Sequence, residues 1–236
     1  MRRHLRHKWV DLRAVLFDLD GTLVKTASPP EIIRRILARH GVERRIEDIA
    51  LAHERAEVSL APEDYRLPYY DFWIKWNRKI LEALKVHENT DFLARVLVDE
   101  WWDNADVELY PDAREALKLL KEKELKIGII TNAFEKDVEY ILMRTDLPNF
   151  FDVIVGIDTV GKPKPASEIF LHALKMLNVQ SYEAIFVGDD LEKDYFGALK
   201  AGLRAVLIDR NSTLDDLRLL KIKDLRELLG FTDPEE

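Results

Sequence analysis

The sequence predicts an α/β protein: a parallel sheet with helices on both faces, interrupted early by an all-helical segment. Three observations predict it. Short apolar runs rich in β-branched residues recur at residues 14–17, 126–131, 152–156, 184–189 and 205–208, each too short for a helix and bounded by Gly, Asn or Asp. From residue 110 onward, segments with helical periodicity alternate with these runs, the order that folds most readily as a parallel sheet covered on both sides. The third observation is a departure from that alternation. Between residues 25 and 106 the apolar positions repeat only at three- to four-residue spacing, which places several helices there and no strand.

Composition narrows the classes. With 236 residues and 47% hydrophobic content, the chain can bury one large core, or a core and a smaller satellite. There is no Cys, which excludes disulfides, thiolate metal sites and a cysteine nucleophile and fits a reducing compartment. A net charge of −8 argues against nucleic-acid binding, and the basic run at residues 1–8 reads as a solvated leader. That run lacks the apolar stretch of a secretory signal, and no apolar segment reaches membrane-spanning length, so a cytoplasmic location with no membrane partner is expected. Charged residues at 34% with three Met are the bias of ion-pair networks at high temperature, which points to a thermophilic source.

Taken in order, the first run leads into Asp18-Leu19-Asp20-Gly21-Thr22-Leu23. In an extended chain Asp18 and Asp20 project to one side, and two carboxylates so close require a cation or a shared proton. Oxygen ligands of this kind suit Mg²⁺. A calcium loop of the EF-hand type fails in register, because Gly21 at its sixth position puts Leu16 first and Ala27 twelfth, where ligands belong. An acidic turn that only caps a helix is the alternative. Helical periodicity follows at about residues 31–37, 46–58, 70–86 and 90–105. These carry Trp73, Trp76, Trp101 and Trp102, read first as the segment's own core.

Later segments supply further polar groups at strand ends. Thr131 and Asn132 close the second run, where a hydroxyl and an amide can donate to a phosphate. Gly161-Lys162-Pro163-Lys164-Pro165 is a rigid loop that can hold a lysine inward, although two solvated surface lysines explain it as well. Gly188-Asp189-Asp190-Leu191-Glu192-Lys193-Asp194 opens a helix with more acids than capping needs. Because ligands bind at the carboxyl ends of parallel strands, Asp18, Thr131 and Asp189 are expected on one sheet edge.

In their order, Asp-x-Asp-Gly-Thr, strand-Thr-Asn, Lys-Pro-x-Pro and Gly-Asp-Asp-x₃-Asp resemble the haloacid dehalogenase (HAD) superfamily over nearly the whole chain. That resemblance implies a Rossmann-like core at residues 1–24 and 107–236 and a helical cap at 25–106. It makes Asp18 the nucleophile, Asp20 the general acid and base, Thr131 and Asn132 phosphate ligands and Lys162 the charge-balancing lysine. Asp189 would complete a Mg²⁺ site with Asp18 and the Asp20 main-chain carbonyl, Asp190 competing with Asp189 as ligand. Asp194 would orient Lys162 or a metal-bound water. The implied activity is Mg²⁺-dependent hydrolysis of a small phosphorylated metabolite through an aspartyl-phosphate. A phosphomutase on the same fold is the alternative, and a 2-haloacid dehalogenase is disfavoured because dehalogenases of the family lack the second Asp of the first motif. Tyr65, Arg66 and Tyr69, beside the helix break at Pro68, are expected to face substrate.

Overall fold

Strand β1 (Ala14–Phe17) lies buried along its length, as an uninterrupted apolar strand must in a sheet covered on both faces. It belongs to a computed structural model that describes residues 11–147, 150–212 and 219–232, so the basic run at residues 1–8 lies outside the described residues. The chain divides into two compact units, one formed by Met1–Lys25 with Leu109–Glu236 and the other by Thr26–Glu108. Among the described residues no helix is long and apolar enough to cross a membrane.

After β1 comes the two-residue strand β2 (Val24–Lys25), and then the helical unit: α1 (Pro29–Arg39), α2 (Ile46–Val58), a 3₁₀ turn at Asp64–Arg66, α3 (Tyr69–Ala83) and α4 (Thr90–Asp99). Helix α1 starts with Pro at its first position, where no N–H is needed, and buries Ile32, Ile33, Ile36 and Leu37 on one face. Two helices stop earlier than their periodicity predicts. Helix α3 ends at Ala83, with Lys85 in the left-handed region. Helix α4 ends at Asp99 rather than near 105, because the Asn104 amide takes the Glu100 carbonyl at 2.7 Å, the acceptor a further helical turn would have used. Trp76, Trp101 and Trp102 pack against the unit's buried core. Trp73 meets Phe72 edge-on, with centroids 4.9 Å apart.

The chain returns through β3 (Glu108–Leu109), which pairs with β2, and continues as α5 (Ala113–Glu122), β4 (Lys126–Ile130), α6 (Glu135–Thr145), β5 (Val153–Val155), α7 (Ile157–Val160), α8 (Ser167–Leu177) and β6 (Ala184–Gly188). A π-helical turn at Leu191–Phe196 runs into α9 (Gly197–Lys200), followed by β7 (Arg204–Ile208), β8 (Lys221–Ile222) and α10 (Leu229–Thr232). Six strands form one sheet in the order β5-β4-β1-β6-β7-β8, with every described pairing parallel. Phe170 and Phe186 meet edge-on within the core that packs α8 against the sheet. The chain winds from β1 outward through β4 and β5, then crosses back to β6. The crevice beside β1 is therefore the topological switch point at which such sheets bind ligands.

Candidate active site

Phe17 stands opposite Ile129 of β4 and Val187 of β6, so the residues just beyond these three strands emerge together. The Asp18 N–H extends the ladder by donating to the Val187 carbonyl at 2.8 Å, which leaves its buried carboxylate at the sheet edge. The following turn closes with Leu23 N–H on the Leu19 carbonyl at 2.9 Å and Gly21 N–H on the Val24 carbonyl at 2.7 Å. Asp20 is exposed on this turn. Gly21 has φ +83°, and a Cβ there would collide with the Asp189 carboxylate. This close approach requires glycine and brings Asp189 against the backbone beside Asp20. Thr131 is buried, and its hydroxyl accepts from Ala133 N–H at 3.2 Å, leaving its own hydrogen to donate.

The lysine is the main correction. Lys162 is half exposed and pairs with Glu168 at 2.5 Å, away from the acids. Lys164 takes the place expected of Lys162: its side chain is 3% exposed, and its ammonium donates to Asp18 Oδ1 and Asp194 Oδ1, each at 2.6 Å. The physical reason lies in Asn132. Its Oδ1 accepts from the Lys164 main-chain N–H at 2.7 Å and its Nδ2 donates to the Lys164 carbonyl at 3.2 Å. A side-chain amide thus grips the lysine's own peptide groups and aims that lysine inward. The Asn132 side chain accordingly works as a clamp, whereas it was expected to meet phosphate. The two lysines are both followed by proline, and what separates them in the sequence is only that Lys164 stands nearer the start of α8 at Ser167.

Asp190 is a cap, its Oδ1 accepting from Glu192 N–H at 2.9 Å and Lys193 N–H at 2.8 Å. Asp189 is therefore the acid of this pair that joins the cluster. Asp194 accepts from Lys164 through Oδ1 and from Asp190 N–H at 3.0 Å through Oδ2, so it orients Lys164, not Lys162. Gly188 leaves the room this needs, because a Cβ on it would overlap the Asp194 carboxylate.

Charge does not balance within the cluster. Asp18, Asp189 and Asp194 each present a carboxylate oxygen, all within 4.8 Å of one another, against the one ammonium of Lys164. Burial pushes the Asp18 carboxyl up to about 8, Lys164 opposing and Asp194 and Asp189 adding to the rise. Asp189 reaches solvent on one side, yet burial on the other and then the Asp194 charge push it up to about 6. Burial works against the Lys164 charge, but Asp18 and Asp194 outweigh it and hold its pKa above the ordinary lysine value. Surplus carboxylate oxygen at a partly open site is the donor set of a hard divalent cation. Asp18 and Asp189 are the carboxylates that could hold such a cation, since Asp194 is occupied on both oxygens.

A parallel sheet that carries a buried Asp–Lys–Asp cluster at its switch point has the layout of an α/β enzyme centre. Residues 12–202 match the family model of haloacid dehalogenase-like hydrolases, and the chain belongs to that family. It is 30% identical over 229 residues to a phosphoglycolate phosphatase of Aquifex aeolicus, covering 92% of this chain and 97% of that one. Among solved structures it is similar to a HAD phosphatase from Thermococcus onnurineus, with TM-score 0.62, 28% identity and coverage of 94% and 99% of the two chains. It is also similar to a 2-haloacid dehalogenase from Pseudomonas syringae pv. Tomato DC3000, with TM-score 0.67, 26% identity and coverage of 93% and 97%.

Proposed function

We propose that the protein is a Mg²⁺-dependent phosphatase that hydrolyses a small phosphate monoester through an aspartyl-phosphate on Asp18. The observation that carries this reading is the Asp18 carboxylate, buried at the switch point and held by the Lys164 ammonium at 2.6 Å, with Asp20 two residues further on. Asp18 attacks phosphorus while Asp20 gives a proton to the departing oxygen. Asp20 then takes a proton from the water that attacks the same phosphorus and frees Asp18. Lys164 offsets the growing negative charge, and the Thr131 hydroxyl donates to a phosphoryl oxygen. Mg²⁺ held by Asp18, Asp189 and the Asp20 main-chain carbonyl would supply further positive charge against the phosphoryl oxygens.

Asp20 favours this reading over a dehalogenase, in which attack on carbon needs no second acid. A phosphomutase shares every group above and differs in retaining the phosphoryl group. Within this reading the helical segment at residues 25–106 sets substrate choice, and alanine at Tyr65, Arg66 and Tyr69 should change the ranking among substrates. The phosphoglycolate phosphatase similarity supports a small phosphorylated acid as the first substrate class to try.

The test is a screen of phosphorylated acids, trioses and sugars for phosphate release with Mg²⁺, beside Asp18→Asn. Release by the native protein, lost in EDTA, restored by Mg²⁺ and abolished in Asp18→Asn, is expected. Full activity in chelator would sink the metal assignment, and turnover by Asp18→Asn would remove the nucleophile.

A further inference from the structure

The turn that carries Asp20 is gripped from outside at two consecutive carbonyls. Arg210 Nη2 donates to the Thr22 carbonyl at 2.7 Å, and the Tyr110 main-chain N–H donates to the Leu23 carbonyl at 3.0 Å. These two grips are tied together, since the Arg210 guanidinium lies over the Tyr110 ring, 3.7 Å from its centroid. Arg210 is itself anchored. Its Nη1 donates at 2.9 Å to Asp112 Oδ2, which also accepts the Leu225 main-chain N–H at 2.7 Å, and the arginine and aspartate side chains are 17% and 4% exposed.

We propose that Arg210 is a positioning residue for the acid–base step: by fixing the Thr22 carbonyl it fixes the peptide planes of the turn and with them the aim of the Asp20 carboxyl. The inference rests on the reading of Asp20 as general acid. A buried ion pair to Asp112 alone would need only a cation, whereas this site uses a planar fork that donates to two acceptors and a flat face that stacks on a ring. A lysine ammonium has donors enough for two acceptors, as Lys164 shows, but no planar fork and no flat face to lay on the Tyr110 ring, so it cannot supply all three contacts. The Tyr110 phenol, raised first by burial with Arg210 opposing, also feels the charges of Asp189 and Asp20, which places this grip at the edge of the acid cluster.

A positioning role and a merely structural one differ in their dependence on the leaving group. Single-turnover phosphorylation of Asp18 is measured in the native protein and in Arg210→Lys, with an alkyl phosphate and with p-nitrophenyl phosphate, whose leaving oxygen needs little protonation. We expect the alkyl reaction to slow by about tenfold or more and the aryl reaction by much less. In an Asp20→Asn background, Arg210→Lys should add no further alkyl-specific loss. Equal losses on both substrates, no loss, or full additivity with Asp20→Asn overturn the role. Should Arg210→Lys fail to fold, Tyr110→Leu removes the stacked ring and keeps the main-chain N–H; it is expected to show the same split to a smaller degree, and equal losses there overturn the proposal. Absence of phosphate release by the native protein would instead refute the phosphatase reading, so the two failures are distinguishable.

Discussion

Two lysines, each followed by proline, stand two residues apart, and only Lys164 reaches Asp18. Replacing Lys164 by Met should lower kcat by about 10²- to 10³-fold, the scale of a lost charge-stabilising group, while Lys162→Met should leave turnover close to native; steady-state kinetics on the pair decides it. Collapse of activity in the Lys162 variant alone would reverse the assignment. Asn132→Ala should act in the same direction as Lys164→Met but less severely, because it frees the lysine's main chain without removing the ammonium. The meeting of Asp18 and Asp189 was legible from strand-end position, since a carboxylate just after a buried strand emerges at the carboxyl edge of the sheet, whereas the choice of Asp189 over Asp190 was not. The lysine was not, because Lys162-Pro163 and Lys164-Pro165 offer the same local signal and the amide that chooses between them lies on another loop.

At the scale of elements, the strands read clearly wherever a run of four or five apolar residues crossed the core, as in β1, β4, β6 and β7. Strand β8 has only two residues, Lys221 and Ile222, and no pattern that short is distinguishable from loop. The early end of α4 escaped the reading for another reason: Asn104 competes for a carbonyl, and periodicity carries no trace of that contest. Gly188 at the end of β6 gives a direct test of how strand and cluster interlock. Gly188→Ala should displace Asp194 from Lys164, reducing turnover and costing about 1–3 kcal/mol of stability by overpacking, measured by denaturant unfolding; an unchanged pair of values would show that Asp194 yields freely. In the helical unit, the 3₁₀ turn is joined to α3 by Lys75, which donates to Asp64 at 2.5 Å. That bond, followed by the Ala61 N–H, holds the Asp64 carboxyl below its usual value against the opposing effect of burial. A depressed folded-state pKa gives stability that is present above the unfolded value near 3.8 and is lost as pH falls through the folded value. Asp64→Asn should therefore lose stability at pH 6 and show a shallower acid limb; unfolding midpoints at pH 6 and pH 3 that fall in parallel with the native protein would contradict this.

Across the molecule, surplus negative charge at the sheet edge means that a bound cation stabilises the native state over the unfolded one. Millimolar Mg²⁺ should raise the melting temperature, by up to about 2.7 kcal/mol of stabilisation if the concentration reaches a hundred times the dissociation constant. Asp189→Asn should abolish most of that shift, and an undiminished shift in the variant would place the cation elsewhere. The central position of β1 has a further consequence, which concerns biosynthesis. Ala14 is made early, yet its sheet partners are Lys126 and Ala184, both of which follow the whole helical unit in the chain. Strand β1, which leads to Asp18, must therefore wait unpaired as the chain emerges, while α1 to α4 already possess their local partners. Pulse-labelled hydrogen exchange during refolding of the full chain should find the amides of Thr26–Glu108 protected before those of β1. The strand that leads to Asp18 would be the first of the sheet to be synthesised and among the last parts of the protein to take its place.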